Sequence, residues 1–157
     1  MTTTDPLTAP HPAMIRALAL ADQTAARGEV PVGAVIWDPV LDQPVAEAAN
    51  LMRIDRQSIA HAEIRAIQAA MKTTGQERLT GLDLFVTLEP CAMCAGAIAH
   101  ARLRRVIYAA ADPKGGAVEH GPCLFDQPTI HHKPEIIAGH MARQAEEQLQ
   151  RFFSNLR

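Results

Sequence analysis

The chain has 157 residues, 48% of them apolar and 20% charged, with a formal charge of −2. That composition excludes a disordered chain and supplies enough apolar side chains for one globular domain with its own core. The small negative charge excludes a broad electrostatic footprint for nucleic acid, so such a partner would be met by local patches and a shaped pocket. No apolar run approaches the roughly 18 residues of a membrane span. Residues 1–12 carry neither a basic n-region nor an apolar h-region. A soluble cytoplasmic protein with no membrane partner is expected, as one domain over 1–157 with residues 1–10 as a flexible tail.

In chain order, residues 11–27 have helical spacing, with Met14, Ile15, Leu18, Ala19, Ala21 and Ala25 as the apolar stripe and Gly28 placed to end it. Residues 31–37 are almost continuously apolar, as in a strand buried on both faces. A turn holding Asp38, Pro39, Asp42 and Pro44 leads to a second strand at 45–49 and completes a hairpin. After a polar stretch at 50–58, helical spacing returns at 61–71, with Ile64, Ile67 and Met71 on one face beside Ala62, Ala66 and Ala70. Residues 82–88 form a further strand, 91–102 a small-residue apolar helix and 105–111 another strand. Residues 112–134, broken by prolines and glycines, are too long for a plain connector. A short edge strand at 135–137 and an amphipathic helix at 140–153, burying Ala145, Leu149, Phe152 and Phe153, complete an α/β sandwich around a mixed sheet.

Two short motifs carry chemistry, His61-Ala62-Glu63 and Pro90-Cys91-Ala92-Met93-Cys94. H-x-E followed by P-C-x-x-C is the pattern of zinc-dependent nucleobase deaminases. A catalytic zinc takes three protein ligands and leaves a fourth position for water, whose pKa falls to about 7. His61, Cys91 and Cys94 supply that count, for one Zn2+ per subunit. Cys91 and Cys94, three apart, share a face in the first turn of a helix opened by Pro90, whose free N–H groups favour thiolate. His61 and Glu63 lie about 200° apart on a helix, so they converge only if His61 sits at the helix start and points off its end. The metal then lies between two helix N-termini, and Glu63, which is not a ligand, is the catalytic residue that moves protons. A C-x-x-C pair alone also fits a redox pair, or half of a structural zinc site with His131 or His132 as a fourth ligand. The upstream His-Ala-Glu favours the catalytic site. Cys123, alone in the long loop, reads as an ordinary thiol.

Further segments extend the pattern: Glu-Val-Pro-Val-Gly-Ala-Val at 29–35, Asn50, Ala-His-Ala-Glu-Ile at 60–64, Thr-Leu-Glu-Pro-Cys-Ala-Met-Cys-Ala-Gly-Ala at 87–97, Asp-Pro-Lys-Gly-Gly-Ala at 112–117 and Arg151-Phe152-Phe153. Together they resemble the bacterial tRNA-specific adenosine deaminase family, within the cytidine deaminase superfamily, over nearly the whole chain. The resemblance implies a single deaminase domain with a cytidine-deaminase-like three-layer α/β/α sandwich around a five-stranded mixed sheet. It also implies a homodimer with active sites near the interface. The implied reaction is hydrolysis of the wobble adenosine of a tRNA anticodon loop to inosine and ammonia. The resemblance places Asn50 on the flipped base, Val30, Val32, Ala34 and Ala62 around that base, and Asp112 against RNA near the target. An Asn amide suits a base edge because it offers both donor and acceptor. Asn50 also fits loop capping, and Asp112 also fits turn formation. Gln57-Ser58, Ala109-Ala110-Ala111, His131-His132 and Arg143-Gln144-Ala145-Glu146 depart from the relatives' pattern, all away from the metal motifs.

Positive charge at Arg102, Arg104, Arg105, Lys114, His132, Lys133, Arg151 and Arg157 is available to an RNA partner, although surface arginines are usually just solvated. The alternative reading is a deaminase of a free nucleobase or nucleoside of guanine or cytosine type, sharing the metal site and Glu63. A third reading, a non-catalytic partner subunit, leaves Glu63 without a task.

Overall fold

The computed structural model of the chain describes residues 7–156. Its elements are α1 (Pro12–Ala25), β1 (Gly33–Asp38), β2 (Gln43–Ala49), α2 (Ala62–Thr74), β3 (Asp83–Leu88), α3 (Ala92–Ala101), β4 (Arg105–Ala110), a short 3-10 helix (Leu124–Asp126), β5 (Glu135–Ala138) and α4 (Ala142–Asn155). The sheet order is β2-β1-β3-β4-β5. β1 is antiparallel to both β2 and β3, whereas β3, β4 and β5 run parallel. This is the five-stranded mixed sheet of the expected α/β sandwich.

Alternation along the strands explains why they read as largely apolar runs. Ile36, Leu84, Val86 and Val106 pack with Ala66 and Ile67 of α2 and Ile98 of α3. Their neighbours Val35, Trp37, Phe85 and Ile107 face the other way, onto Met14 and Leu18 of α1 and Ala145 of α4. Both sheet faces are therefore covered, and both sets of alternate residues are mainly apolar; the buried polar exceptions in β3, Asp83 and Thr87, are hydrogen-bonded to Arg104 and Gly33. At Gly33 a Cβ would stand 2.0 Å from the Ala17 carbonyl oxygen. Only glycine lets α1 approach β1 this closely.

Some expected details shift. α1 ends at Ala25 with Ala26 as its cap, and Gly28 takes its left-handed backbone beyond that point. α4 begins at Ala142 because Gly139 (φ +87°) and Met141 (φ +58°) are left-handed and interrupt helical backbone before it. Phe153 is not on the buried side of α4: it is 47% exposed. The buried residues of that helix are Ala145 and Gln148, and the Gln148 Nε2 donates to the Leu18 carbonyl at 2.8 Å, tying α4 to α1. Of the expected N-terminal tail, residues 1–6 lie outside the described residues, and Leu7 packs into the core. No helix among the described residues is long and apolar enough to cross a membrane.

Candidate active site

After β3 the chain turns through Glu89 and Pro90 into α3, whose N-cap is Cys91 with extended backbone (φ −74°, ψ 175°). Pro90 thus precedes the cap instead of opening the helix as expected. α2 starts in the same way. His61 is its N-cap (φ −69°, ψ 152°), and the imidazole makes no capping bond. Left free of its own helix, the ring turns to the thiols. Nδ1 lies 3.7 Å from Cys91 Sγ and 3.5 Å from Cys94 Sγ, and the three ligand atoms are all within 4.8 Å of one another. With zinc–sulfur about 2.3 Å and zinc–nitrogen about 2.0–2.1 Å, a tetrahedral ion holds nitrogen and sulfur about 3.6 Å apart. The donors fit zinc in spacing, and imidazole with thiolates fits it in chemistry.

The thiols are electrostatically paired. The hydrogen bond from Cys94 pulls Cys91 down to about 5, with burial opposing and the Cys94 N–H, His61 and the Met93 N–H assisting. Cys94 is pushed up by giving that bond and by burial. One negative charge is favoured on the pair, and a cation must replace the Cys94 proton to favour a second. Glu63 is 4% exposed. Burial raises its carboxyl, opposed by its own backbone N–H, and the Cys91 charge adds to the rise. A carboxyl raised in this way can both take a proton and return it.

Both helix starts open into a cavity of about 240 Å³, smaller than the roughly 300–1,000 Å³ of drug-sized pockets. His61, Glu63 and Cys91 form its polar end, and Val30, Val32 and Ala62 its apolar wall. Asn50 and Asp112 also line it. Cys94 lies beneath, fully buried. Ala34 does not reach the cavity: it sits in the centre of the sheet, paired with Ala48 and Val86 and packed in the core with α2. The Asn50 amide is half committed, since Nδ2 donates to the Val30 carbonyl at 3.3 Å and Oδ1 accepts the Met52 N–H at 3.2 Å. One N–H and one lone pair remain. Asp112 Oδ1 accepts the N–H groups of Lys114 and Gly115 at 3.2 and 3.0 Å, forming the expected turn. Met52, Leu88, Glu89 and Gly115 also line the cavity, though sequence reasoning gave them no role.

Most of the positive charge is already paired. Arg104 grips Asp83 with two bonds of 2.8 and 2.6 Å. Arg105 pairs with Glu135, Lys133 with Asp126 and Arg151 with Asp22. Arg102 donates to the His131 carbonyl, and the His132 ring bonds the Leu103 carbonyl. Arg157 lies outside the described residues. Lys114 stands instead on a groove that shares Val30, Leu88 and Asp112 with the cavity and continues to Leu149 and Phe153.

An α/β sandwich carrying a His-Cys-Cys cluster and a buried glutamate at two helix starts defines a zinc-dependent deaminase. Residues 8–110 match the family described as the cytidine and deoxycytidylate deaminase zinc-binding region. The chain is 49% identical over 142 residues to a tRNA-specific adenosine deaminase of Agrobacterium fabrum, covering 90% of this chain and 91% of that one. It is 40% identical over 144 residues to the protein of that name in Rickettsia bellii, covering 92% and 99%. A solved structure from a study of A-to-I editing by tRNA:A34 deaminases superposes with a TM-score of 0.84 at 47% identity, covering 87% of this chain and 98% of that one. The chain belongs to the tRNA-specific adenosine deaminase family.

Proposed function

We propose that this protein hydrolyses the wobble adenosine of a tRNA anticodon loop to inosine and ammonia, with His61, Cys91 and Cys94 holding zinc and Glu63 carrying protons. The observation that carries the reading is the set of 3.5 and 3.7 Å donor spacings opening, beside buried Glu63, into a cavity sized for one heterocycle. Zinc bound there supplies a Lewis acid that makes a water nucleophilic near neutral pH. Glu63 takes one proton from the attacking water as its oxygen bonds to the amine-bearing carbon, and delivers that proton to the purine ring nitrogen. It then moves the second proton, from the hydroxyl now on that carbon, to the amine, which leaves as ammonia as the C–N bond breaks and the carbonyl forms. Val30, Val32 and Ala62 press the base on its apolar faces. The free N–H and lone pair of Asn50 read its edge, and Asp112 holds the wall toward the flanking nucleotides.

A base leaves a loop more cheaply than a duplex, and RNA is usually read where bases are already splayed. The protein works as one domain over 1–157, in the cytoplasm and as a homodimer. Supporting the cytoplasm, its three cysteines are free thiols, and thiolate ligands persist where disulfides do not form. Supporting the dimer, α3 is apolar apart from His100 near its end, as mostly covered helices are, yet Ala92 and Met93 at its start are exposed.

The test is nucleoside mass spectrometry after incubating the zinc-loaded protein with an anticodon stem-loop, or separately with free adenosine, guanine and cytosine. Inosine in the stem-loop is expected, with the rate falling as salt rises. Deamination of free bases beside an inert stem-loop would overturn the reading.

A further inference from the structure

We propose that Glu89 is a positioning residue for substrate recognition, holding the 112–120 loop, and with it Asp112 and Gly115, against the metal-binding end of α3. This rests on the function proposed above. The Glu89 side chain is completely buried. Oε1 accepts the Asp112 N–H at 3.1 Å and the His120 Nδ1–H at 2.7 Å. Oε2 accepts three successive amides, those of Val118, Glu119 and His120, at 3.1, 3.0 and 3.2 Å. Successive N–H groups converging on one oxygen form a nest, an anion-binding concavity of the backbone, and here the anion is a side chain of the same chain. Bonds to an ionised acceptor are roughly twice as strong as neutral ones.

The loop has no room to settle differently. A Cβ on Gly116 would stand 2.6 Å from the Glu89 carboxyl and 2.5 Å from the Asp112 carbonyl oxygen. The Ala117 N–H donates to the Pro90 carbonyl at 2.9 Å, and the Tyr108 hydroxyl donates to Glu119. Glu89 precedes the ligand Cys91 by two residues, and Cys91, Asp112 and Gly115 line one cavity. A single carboxylate therefore sets the distance between the reacting end of the pocket and the wall that meets the substrate. Glu89 touches the loop and not the reacting atoms, so its loss should act on binding before it acts on chemistry.

The experiment compares zinc-loaded wild type with Glu89→Gln and His120→Ala. Glutamine keeps the size of the side chain but turns an NH2 toward backbone donors, whereas the alanine removes one partner at a half-exposed site and spares the fold. Amide hydrogen exchange at 112–120 and steady-state kinetics on the stem-loop are read together. Glu89→Gln is expected to lose protection by tenfold or more at Val118, Glu119 and His120, and to raise KM about tenfold. Its kcat should stay within threefold and its zinc content at one per chain. His120→Ala should move in the same direction by less. A lowered melting temperature with KM and loop protection unchanged would reduce Glu89 to a structural residue and overturn the proposal. A kcat loss at unchanged KM would overturn it too. If wild type leaves the stem-loop untouched, the functional reading fails, and the exchange data still decide whether Glu89 holds the loop.

Discussion

Replacing Glu63 by glutamine removes the proton carrier and leaves its shape. General acid–base catalysis is worth about 10²–10⁴-fold, or about 2.7–5.5 kcal/mol at 1.36 kcal/mol per decade. The structure argues for the upper half of that range, because the other two carboxylates lining the cavity, Glu89 and Asp112, are engaged with the 112–120 loop. Both Glu89 oxygens are filled by N–H donors. Asp112 Oδ1 is occupied by the Lys114 and Gly115 amides. Asn50 cannot carry a proton. A neutral amide in place of a buried carboxyl should not lower the melting temperature, and zinc should remain, since the ligand set is His61, Cys91 and Cys94. Single-turnover inosine formation on the stem-loop is the assay, with metal content and melting temperature measured alongside. A zinc-loaded Glu63→Gln that turns over within tenfold of wild type would refute the proton role. Loss of zinc would show that the carboxylate is a ligand and that the mechanism is misassigned.

Stripping the metal with a chelator should abolish turnover. If free zinc stands 1,000-fold above its dissociation constant, removal costs about 4.1 kcal/mol, and melting should fall by about 10 °C; a chelated protein with unchanged activity or melting would count against the site. Gly33→Ala places a Cβ 2.0 Å from the Ala17 carbonyl oxygen. α1 must then retreat by more than about 1 Å, at the 1–3 kcal/mol typical of overpacking or above, and melting should drop by about 4–10 °C, whereas an unshifted transition would show that the contact gives freely. His11 caps α1 by accepting the Ala13 N–H on Nδ1 at 3.0 Å and stacks on Phe85. Burial first, and His140 second, hold its pKa below 6.5. A depressed folded pKa gives stability that is present above the unfolded value and lost as pH falls through the folded one. Melting temperature should therefore decline as pH drops below about 6.5, and His11→Asn, which caps without titrating, should flatten that decline; an equally steep slope in the variant would remove His11 as its source.

What the sequence made legible was whatever local chemistry compels. β1, β3 and β4 are largely apolar because both sheet faces are covered, and that is visible residue by residue. The metal ligands are legible because thiolate and imidazole are required at fixed spacing from a helix start. The losses share a cause: each depends on a partner far along the chain. Ala34 has the right side of the strand, but pairing with Ala48 and Val86 holds it inside the sheet, and it does not line the cavity. Arg104 looks available until Asp83, 21 residues earlier, takes two of its three guanidinium nitrogens. Phe153 fits the apolar spacing of α4, yet Gln148 takes the buried position by bonding Leu18, 130 residues away. Glu89 is the sharpest case. Beside Pro90 it looks like one more polar residue of a motif, and its work appears only when residues 112–120 fold back over it. The site thus holds two buried glutamates whose carboxyls are shifted in opposite directions. Glu63 meets no dense set of donors and is raised by burial. Glu89 is buried too, but the amides of Asp112, Glu119 and Val118 with the His120 ring outweigh burial and hold its carboxyl below the usual range. Burial alone does not separate a proton carrier from a structural anchor; the number of N–H donors aimed at the carboxylate does.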